Sequence, residues 1–188
     1  GMPFVERLTI EAMEKISDQK LVDLAVSGDA AAFARLIERH YDMIFRIAFK
    51  WCGDSTDAED IAQDVCVKLG SVIHGFKGEA AFSSWLYRIT LNVVRDFQRA
   101  AKRRTDNIAA LSVVVQRDHL PDPAMEMTQT QMWQKVRQLP PKQRDAMLLI
   151  YAEDLSHAEA AGILGCAEST VSWHVHEAKK RLKQELQD

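Results

Sequence analysis

Residues 155–182, LSHAEAAGILGCAESTVSWHVHEAKKRL, predict two helices joined by a tight turn and decide how the rest of the chain is interpreted. Ser156 followed by Glu159 fits a capping box, in which each side chain accepts a hydrogen bond from a free backbone N–H. Gly165 stands where the first helix must end, since glycine enters the left-handed region at little cost. The apolar residues that recur at helical spacing in the second helix are Val171, Val175, Ala178 and Leu182. This spacing predicts one buried stripe.

The opposite face of the second helix is polar and basic. It holds Ser169, Ser172, Trp173, His176, Lys179 and Lys180. A short helix, a glycine turn and a second helix with such a face are typical of a helix-turn-helix DNA reader. On this stretch alone, an ordinary helical hairpin with a solvated charged face remains the alternative.

The bulk properties of the chain exclude several classes of protein. Its 188 residues suffice for one or two small domains. No apolar run approaches the roughly 18 residues of a membrane span, and no secretory signal is seen. Cys52, Cys66 and Cys166 are far apart, and no Cys/His spacing fits a zinc site. We therefore expect free thiols in a reducing cytoplasm, with no membrane insertion, metal or cofactor.

Charge is sorted along the chain, although the net charge is only −3. That net charge excludes a uniformly basic surface. The basic residues between positions 88 and 104 are Arg88, Arg95, Arg99, Lys102, Arg103 and Arg104, against the single acid Asp96. The acidic residues between positions 54 and 64 are Asp54, Asp57, Glu59, Asp60 and Asp64, with no base among them. Such a chain can hold nucleic acid on one face and a basic protein on another.

The periodicity of the chain predicts an all-α fold with two small helical domains joined by a linker. Residues 1–17 form a short lead-in, and residues 18–104 form the first domain. Residues 105–124 contain prolines, aspartates and asparagine that indicate a linker. Residues 125–188 form the second domain, which ends in the helix-turn-helix. Within the first domain, residues 82–104 are expected to be one long helix.

The acidic helix near residue 60 has a buried and an exposed side. Ile61, Val65 and Leu69 are spaced to face inward, and the polar residues left on the outside are Asp57, Asp60, Gln63 and Asp64. Acidic side chains near a helix N-terminus suit the helix dipole, which explains part of this pattern. The dipole does not explain a patch that extends past the first turn, so a binding surface is predicted there.

The long helix from residue 82 combines aromatic, amide and cationic side chains. Phe82 and Trp85 offer flat faces, Asn92 offers an amide, and Arg88 and Arg95 offer positive charge. These groups suit unstacked bases, because aromatic rings stack, amides read base edges and cations bind the backbone. The alternative is that the two rings belong to the core and the arginines to a solvated face. The pattern alone favours neither interpretation over the other.

Three stretches together resemble a known family. They are GDAAAFARLIERHYDMIFRIAFKWCGDSTDAEDIAQDVCVKL (28–69), FKGEAAFSSWLYRITLNVVRDFQR (76–99) and LPPKQRDAMLLIYAEDLSHAEAAGILGCAESTVSWHVHEAKKRL (139–182). In this order and spacing they closely resemble the extracytoplasmic-function group of bacterial RNA polymerase sigma factors. The resemblance covers nearly everything except the lead-in and the linker. It implies a non-enzymatic protein with a region 2-like domain followed by a region 4-like domain.

The resemblance also implies a role for each surface. The residues implied to bind the clamp of the largest subunit of core polymerase are Asp57, Asp60, Ile61, Gln63, Asp64 and Val65. Those implied to bind the melted promoter element are Phe76, Lys77, Phe82, Trp85, Arg88, Asn92, Arg95 and Arg99. Those implied to read the upstream element in the major groove are Ser169, Thr170, Ser172, Trp173, His174, His176, Lys179 and Lys180. An anti-sigma protein is the further partner that the resemblance implies.

Two other functions remain open from the residues. A stand-alone helix-turn-helix regulator would bind duplex DNA tightly without polymerase. A sigma-like protein acting only through partner binding would function without its DNA contacts. An enzyme is not expected, since the chain lacks a nucleophile–base set, a phosphate loop and a metal spacing.

Overall fold

The structure is a computed structural model that describes residues 1, 3–5, 7, 15–111 and 128–187, with the side chains of 109–111 left aside. Every regular element from residue 15 to 111 and from 128 to 187 is a helix, and no strand occurs in these ranges. The predicted all-α fold is confirmed. Most of the predicted lead-in and much of the predicted linker lie outside the described residues.

The first half of the chain forms four α-helices and one short 3₁₀ helix. They are α1 (Asp18–Val26), α2 (Ala30–Cys52), α3 (Ser55–Val72), a 3₁₀ turn (Ile73–Gly75) and α4 (Phe82–Leu111). The N-terminus of α1 is capped by Ser17, whose side chain accepts from the backbone N–H of Lys20. Asp54 caps α3 in the same way and accepts from the N–H of Asp57 at 2.9 Å. These caps satisfy backbone donors that have no partner inside the helix.

Helix α4 is longer than the sequence predicts. The expected end at Arg104 is passed, and the helix continues to Leu111. The residues after Arg104 include no proline or glycine up to Leu111, so nothing in the side chains forces an end there.

The second half of the chain contains the helix-turn-helix. Its elements are α5 (Gln129–Arg137), α6 (Pro141–Met147), a π-helical turn (Leu148–Ala152), α7 (His157–Leu164) and α8 (Glu168–Gln187). Thr128 and Gln131 form a capping box at α5, and Ser156 and Glu159 form the predicted one at α7. Pro141 occupies the first turn of α6, where its missing N–H costs nothing.

Two compact units are distinguished by their internal contacts. The first contains Gly1–Phe49 and Asp54–Val93, and the second contains Lys50–Gly53 and Val94–Asp188. The second unit therefore includes the last turn of α2 and the C-terminal part of α4 together with helices α5 to α8. The predicted domain boundaries at residues 104 and 125 stay a prediction.

Each unit has its own hydrophobic core. In the first unit, the largest side chains with no more than 1% exposure are Leu21, Val22, Leu36, Ile44, Ile47, Ile61, Val65, Leu69 and Leu86. In the second unit, the buried apolar residues include Leu148, Leu149, Val171, Val175, Ala178 and Leu182. The last four are the predicted stripe of α8, so the helical spacing correctly identified the buried side of this helix. None of the helices from residue 15 to 111 or from 128 to 187 is both long and apolar enough to cross a membrane.

Candidate functional site

Helix α3 presents a polar surface made of three of the predicted core-binding residues. Asp60, Gln63 and Asp64 are exposed. Asp57 is half-buried, and its backbone N–H is bound by the Asp54 side chain. The exposed carboxylates lie along one side of a helix, which makes a negative surface suited to a basic partner.

Two of the predicted core-binding residues are inside the first unit. Ile61 and Val65 are each 0% exposed and belong to its hydrophobic core. Their contribution to a partner surface stays a prediction, and in this conformation they support α3 from within. Sequence reasoning missed Val67, whose side chain is 77% exposed one turn beyond Asp64. An apolar residue outside the buried spacing of α3 was the available signal.

Three aromatic residues predicted to bind melted DNA lie together. Phe76 and Phe82 meet edge to face with ring centroids 5.4 Å apart, and Phe76 lies 5.1 Å from Trp85. Phe82 also contacts Trp85 at 5.8 Å and His40 at 5.0 Å. Phe82 is only 4% exposed, whereas Phe76 and Trp85 are half-buried. The two rings therefore differ in their environment. Phe82 packs in the core, whereas Trp85 keeps part of its ring at the surface.

The polar residues predicted for the same DNA contact are at the surface of the first unit. Lys77, Arg88 and Asn92 are all exposed. Asn92 lies seven residues after Trp85 on α4, which is two helical turns along the same side. A partly exposed ring and an exposed amide on one side of a helix provide the chemistry to stack on a base and bind its edge.

Arg95 and Arg99, farther along α4, already have acidic partners. Arg95 binds Oδ2 of Asp145 with both Nε (3.1 Å) and Nη2 (2.6 Å). Arg99 pairs with Asp96 one turn away at 2.6 Å. Sequence reasoning missed Asp145, which is 1% exposed and lies in the second unit with Arg95. The contact of Arg95 and Arg99 with DNA stays a prediction. To bind a phosphate, Arg95 would have to release Asp145.

The face of α8 that is predicted to read DNA, called its recognition face below, is exposed along most of its length. The exposed residues are Ser169, Ser172, Trp173, His176, Lys179 and Lys180, and the half-buried ones are Thr170 and His174. Trp173 is 58% exposed, and its ring centroid lies 5.1 Å from that of His174. An indole exposed to this extent contributes little to the core, so a large apolar surface remains for a partner.

Among the described residues outside α8, a histidine and a tyrosine contact this face. Nδ1 of His157, the first residue of α7, lies 2.8 Å from Oγ of Ser172. Nζ of Lys179 lies 5.0 Å from the centroid of the Tyr151 ring, and Tyr151 belongs to the π-helical turn. Sequence reasoning did not include His157 or Tyr151 in any site.

The turn between α7 and α8 has the predicted geometry. Gly165 has a φ of 69° and its N–H donates to the carbonyl of Ala161. At the start of α7, the Ser156 backbone N–H donates to Glu159 Oε1 at 3.1 Å, and the Glu159 N–H donates to Ser156 Oγ at 3.1 Å. The hydrogen bond from the Ser156 backbone, followed by that from its side chain, lowers the pKa of Glu159 below the ordinary value of a glutamate.

No group of His, Cys, Asp or Glu side chains arranged to hold a metal ion occurs in the part of the chain that the structure describes. One cysteine is electrostatically unusual: partial burial raises the pKa of the Cys66 thiol. Burial disfavours the thiolate because its charge is taken out of water.

The two halves of the chain match two sequence families. The family described as Sigma-70 region 2 matches residues 36–104. The family described as Sigma-70, region 4 matches residues 129–182, which contain the helix-turn-helix. A region 2 and a region 4 in one chain define the class of sigma-70-type transcription factors.

Similar proteins specify the group within that class. The chain is 30% identical over 182 residues to the ECF RNA polymerase sigma factor SigW of Bacillus subtilis, covering 90% of this chain and 97% of that protein. It is 33% identical over 167 residues to the ECF RNA polymerase sigma factor SigM of Mycobacterium tuberculosis, covering 88% and 83%. The chain belongs to the extracytoplasmic-function group of RNA polymerase sigma factors. Its members are non-enzymatic transcription initiation factors, as the resemblance implied.

Two solved structures share the fold. CnrH in complex with the cytosolic domain of CnrY has a TM-score of 0.60 and 25% identity, covering 90% of this chain and 97% of that chain. The sigma factor RpoE in complex with the anti-sigma factor NepR from Bartonella quintana has a TM-score of 0.59 and 25% identity, covering 82% and 95%.

Proposed function

We propose that this sigma factor divides its work among three surfaces. The acidic side of α3 binds core RNA polymerase, the N-terminal part of α4 holds melted promoter DNA, and α8 reads the upstream element. The observation that carries the proposal is that one chain exposes both an acidic helix face and a polar, aromatic and basic recognition face. These faces lie in the parts that match region 2 and region 4.

The core-binding surface is proposed from Asp60, Gln63 and Asp64, because all three are exposed on α3. The exposed Val67 adds an apolar contact on the same helix. Charged pairs at the edge of an interface mainly guide association, whereas a buried apolar contact holds it. The combination suits a partner surface that is basic with an apolar centre.

The DNA-melting surface is proposed from Phe76, Lys77, Trp85 and Asn92. Flipping a base out of the stack costs a few kcal/mol. Stacking on an aromatic ring returns about 1–3 kcal/mol per base. One small surface therefore holds melted DNA with little margin, and a second DNA contact by α8 adds affinity through effective concentration. The polymerase would hold the two contacts at a fixed distance.

The upstream contact is proposed from the recognition face of α8. Ser172 supplies a hydroxyl for a base edge, Lys179 and Lys180 supply charge for phosphates, and Trp173 supplies an apolar surface for a thymine methyl or a sugar. We further infer that the protein works in the bacterial cytoplasm, where core polymerase and promoter DNA are found.

An anti-sigma protein is the further partner that we propose. The support is that RpoE and CnrH, which share the fold, were solved in complex with NepR and with CnrY. Such a partner would compete with polymerase or promoter DNA for one of the three surfaces.

Reconstitution with core polymerase tests the proposal. The purified chain mixed with core polymerase and a promoter library is expected to give initiation at a defined subset of sequences. Asp64→Lys should weaken association with core, whereas Asp42→Lys, the same charge change at an exposed position on α2, should not. Absence of any association between the wild-type chain and core polymerase would refute the proposal.

Two further comparisons separate the surfaces. Asn92→Ala should reduce the permanganate reactivity of melted thymines, and Asn107→Ala, an exposed asparagine farther along α4, should leave it unchanged. Trp173→Ala should weaken recognition of the upstream element, and Leu186→Ala, which removes an exposed apolar residue near the end of α8, should not.

The same reagents decide between this proposal and the other functions. A stand-alone regulator would bind duplex DNA without polymerase, with log K falling against log salt by about 0.9 for each phosphate contact. A protein acting only through partners would retain its activity in Asn92→Ala and in Ser172→Ala.

A further inference from the structure

We propose that His157 and Tyr151, which lie outside the recognition helix, are positioning residues that orient Ser172 and Lys179 of α8 for contact with DNA. This inference rests on the proposed function, because it assigns a task to residues that support the upstream contact. It goes beyond that function by naming side chains that touch the DNA-reading residues rather than the DNA.

The contact of His157 with Ser172 restricts a hydroxyl group that would otherwise rotate. The ring nitrogen Nδ1 and the hydroxyl Oγ are 2.8 Å apart, and Ser172 is exposed on the recognition face. A serine hydroxyl has one proton and two lone pairs, and its rotor adapts to whatever partner is present. Once one direction is taken by the imidazole, the remaining directions toward the major groove are fixed. Ser172 then distinguishes base edges more sharply than a freely rotating hydroxyl.

The contact of Tyr151 with Lys179 restricts a flexible cation. Lys179 Nζ lies 5.0 Å from the ring centroid, which is within the distance for a cation–π interaction. A lysine loses rotamer freedom when it binds a phosphate, and prior ordering reduces that loss. The ring contacts the ammonium, and no carboxylate of the described residues pairs with it, so its positive charge is still available to a phosphate.

The backbone at Tyr151 is also unusual. Residues Leu148–Ala152 form a π-helical turn directly after α6, and Tyr151 is 46% exposed within it. Single π-helical turns are rare overall, and a large share of those that occur lie at functional sites. The buried neighbours Leu148 and Leu149 anchor the turn in the core. The turn therefore presents the ring of Tyr151 at the surface while two of its other side chains are buried in the core.

Both contacts lie at the surface, and this argues against a purely structural role. Ser172, Tyr151 and Lys179 are exposed, and His157 is half-buried. Exposed polar and cation–π contacts contribute little to folding. Both contacts end on the same face of α8, so their common effect is on the orientation of that face.

Four substitutions at His157 and Ser172 test the first contact in the full chain bound to core polymerase. The measured quantity is the ratio of two affinities, that for the preferred promoter and that for a promoter with one base pair of the upstream element changed. His157→Asn, which carries a polar atom near the place of Nδ1, should retain the wild-type ratio. His157→Ala and His157→Gln, whose amide reaches past that place, should lower the ratio roughly 2- to 10-fold at one base pair. Ser172→Ala should have the same effect or a larger one, because it removes the base contact itself, and adding His157→Ala to it should change nothing further.

Two substitutions at Tyr151 test the second contact with the same holoenzyme. Tyr151→Leu should weaken promoter affinity roughly 2- to 5-fold, equally for all upstream sequences, because a phosphate contact carries no sequence information. Tyr151→Phe keeps the ring and should behave as wild type. Lys179→Ala should show the effect of Tyr151→Leu or a larger one, and the two should not be additive.

The outcomes distinguish the positioning role from the function on which it rests. If Ser172→Ala and Lys179→Ala leave promoter binding unchanged, the proposed upstream contact is wrong and the positioning role falls with it. If these two weaken binding while His157→Gln and Tyr151→Leu do not, the upstream contact stands and the positioning role is overturned. Additive effects in the double variants would overturn it as well. Thermal unfolding of each variant verifies that it is folded. If His157→Ala does not fold, the comparison of His157→Asn with His157→Gln and that of Tyr151→Phe with Tyr151→Leu still test the proposal.

Discussion

The indole Nε1 of Trp51 donates a 2.8 Å hydrogen bond to Oδ1 of Asp145, although the two residues are 94 positions apart in the chain. Both side chains are 1% exposed. Arg144 donates to the same oxygen from Nε (3.1 Å) and Nη2 (3.0 Å), and Arg95 binds Oδ2. A single buried carboxylate thus joins the end of α2, the C-terminal part of α4 and helix α6 within the second unit.

Removal of this carboxylate should destabilise the second unit strongly. Asp145→Ala leaves two guanidinium groups and an indole N–H without their acceptor, and a broken buried ion pair costs about 3–5 kcal/mol. Trp51→Phe removes one donor while both arginines still bind Asp145, so we expect a loss of about 1–2 kcal/mol. Urea unfolding followed by circular dichroism measures both. Equal free energies of unfolding for Asp145→Ala and the wild type would show that the network does not stabilise the fold.

Gly53 and Gly165 provide a matched pair of glycine positions. Both have left-handed φ, 73° and 69°, but a Cβ at Gly53 would lie 2.9 Å from Nη1 of Arg137, whereas at Gly165 no atom of the described residues lies within 4 Å. The Nε of Arg137 is held by the carbonyl of Lys50 at 2.8 Å, which limits its freedom to move. Gly165→Ala should cost about 1–2 kcal/mol from backbone strain alone. Gly53→Ala should cost more, and thermal unfolding of the two variants measures the difference. A smaller loss of stability for Gly53→Ala than for Gly165→Ala would contradict the expected clash.

Glu159 of the α7 capping box should titrate below the ordinary pKa of a glutamate, and because its carboxylate is exposed, solvent screening keeps the effect on stability small. Because the folded-state pKa of Glu159 is lowered, its contribution to stability is fully present above the unfolded value of about 4.3 and is lost as the pH falls through the folded pKa. Ser156→Ala keeps the backbone donor and should move the pKa of Glu159 part of the way back toward its ordinary value. Carboxyl chemical shifts in an NMR titration measure this. An unchanged titration in Ser156→Ala would exclude a contribution from the serine hydroxyl.

Cys66 should react slowly with alkylating reagents. Burial raises the pKa of its thiol, so the reactive thiolate is scarcer at about pH 8 than for an ordinary cysteine. In a variant with Cys52→Ser and Cys166→Ser, iodoacetamide should modify Cys66 more slowly in the native protein than in urea. Equal rates in the two conditions would mean that burial does not protect the thiol.

Much of the helix-turn-helix was predictable because its determinants are local. The capping box of Ser156 and Glu159, the left-handed Gly165 and the buried stripe from Val171 to Leu182 all depend on residues within a few positions of one another. The same holds for the exposed side of α3, where Asp60, Gln63 and Asp64 follow from the spacing of Ile61 and Val65. Helical periodicity identifies the buried and exposed sides of a helix without knowledge of its neighbours.

Local spacing was less informative where two interpretations shared one pattern. Phe82 and Trp85 are three residues apart on α4, yet the first is buried against Phe76 and His40 while the second keeps part of its ring exposed. Only the packing of other elements against this turn separates them. The end of α4 at Leu111 was also missed, since no helix-breaking residue stands near the expected end at Arg104.

The amino-acid sequence by itself determined the all-α class, the positions of most helices, the family and the exposed faces that carry the proposed contacts. Tertiary structure alone decided that Arg95 pairs with Asp145 across 50 positions, that Trp51 joins them, and that His157 and Tyr151 contact the recognition helix. The physical reason is that periodicity and capping arise between neighbours in the chain, where backbone geometry sets the distances. Pairing between distant side chains depends on how helices pack, and no spacing in the sequence encodes those distances.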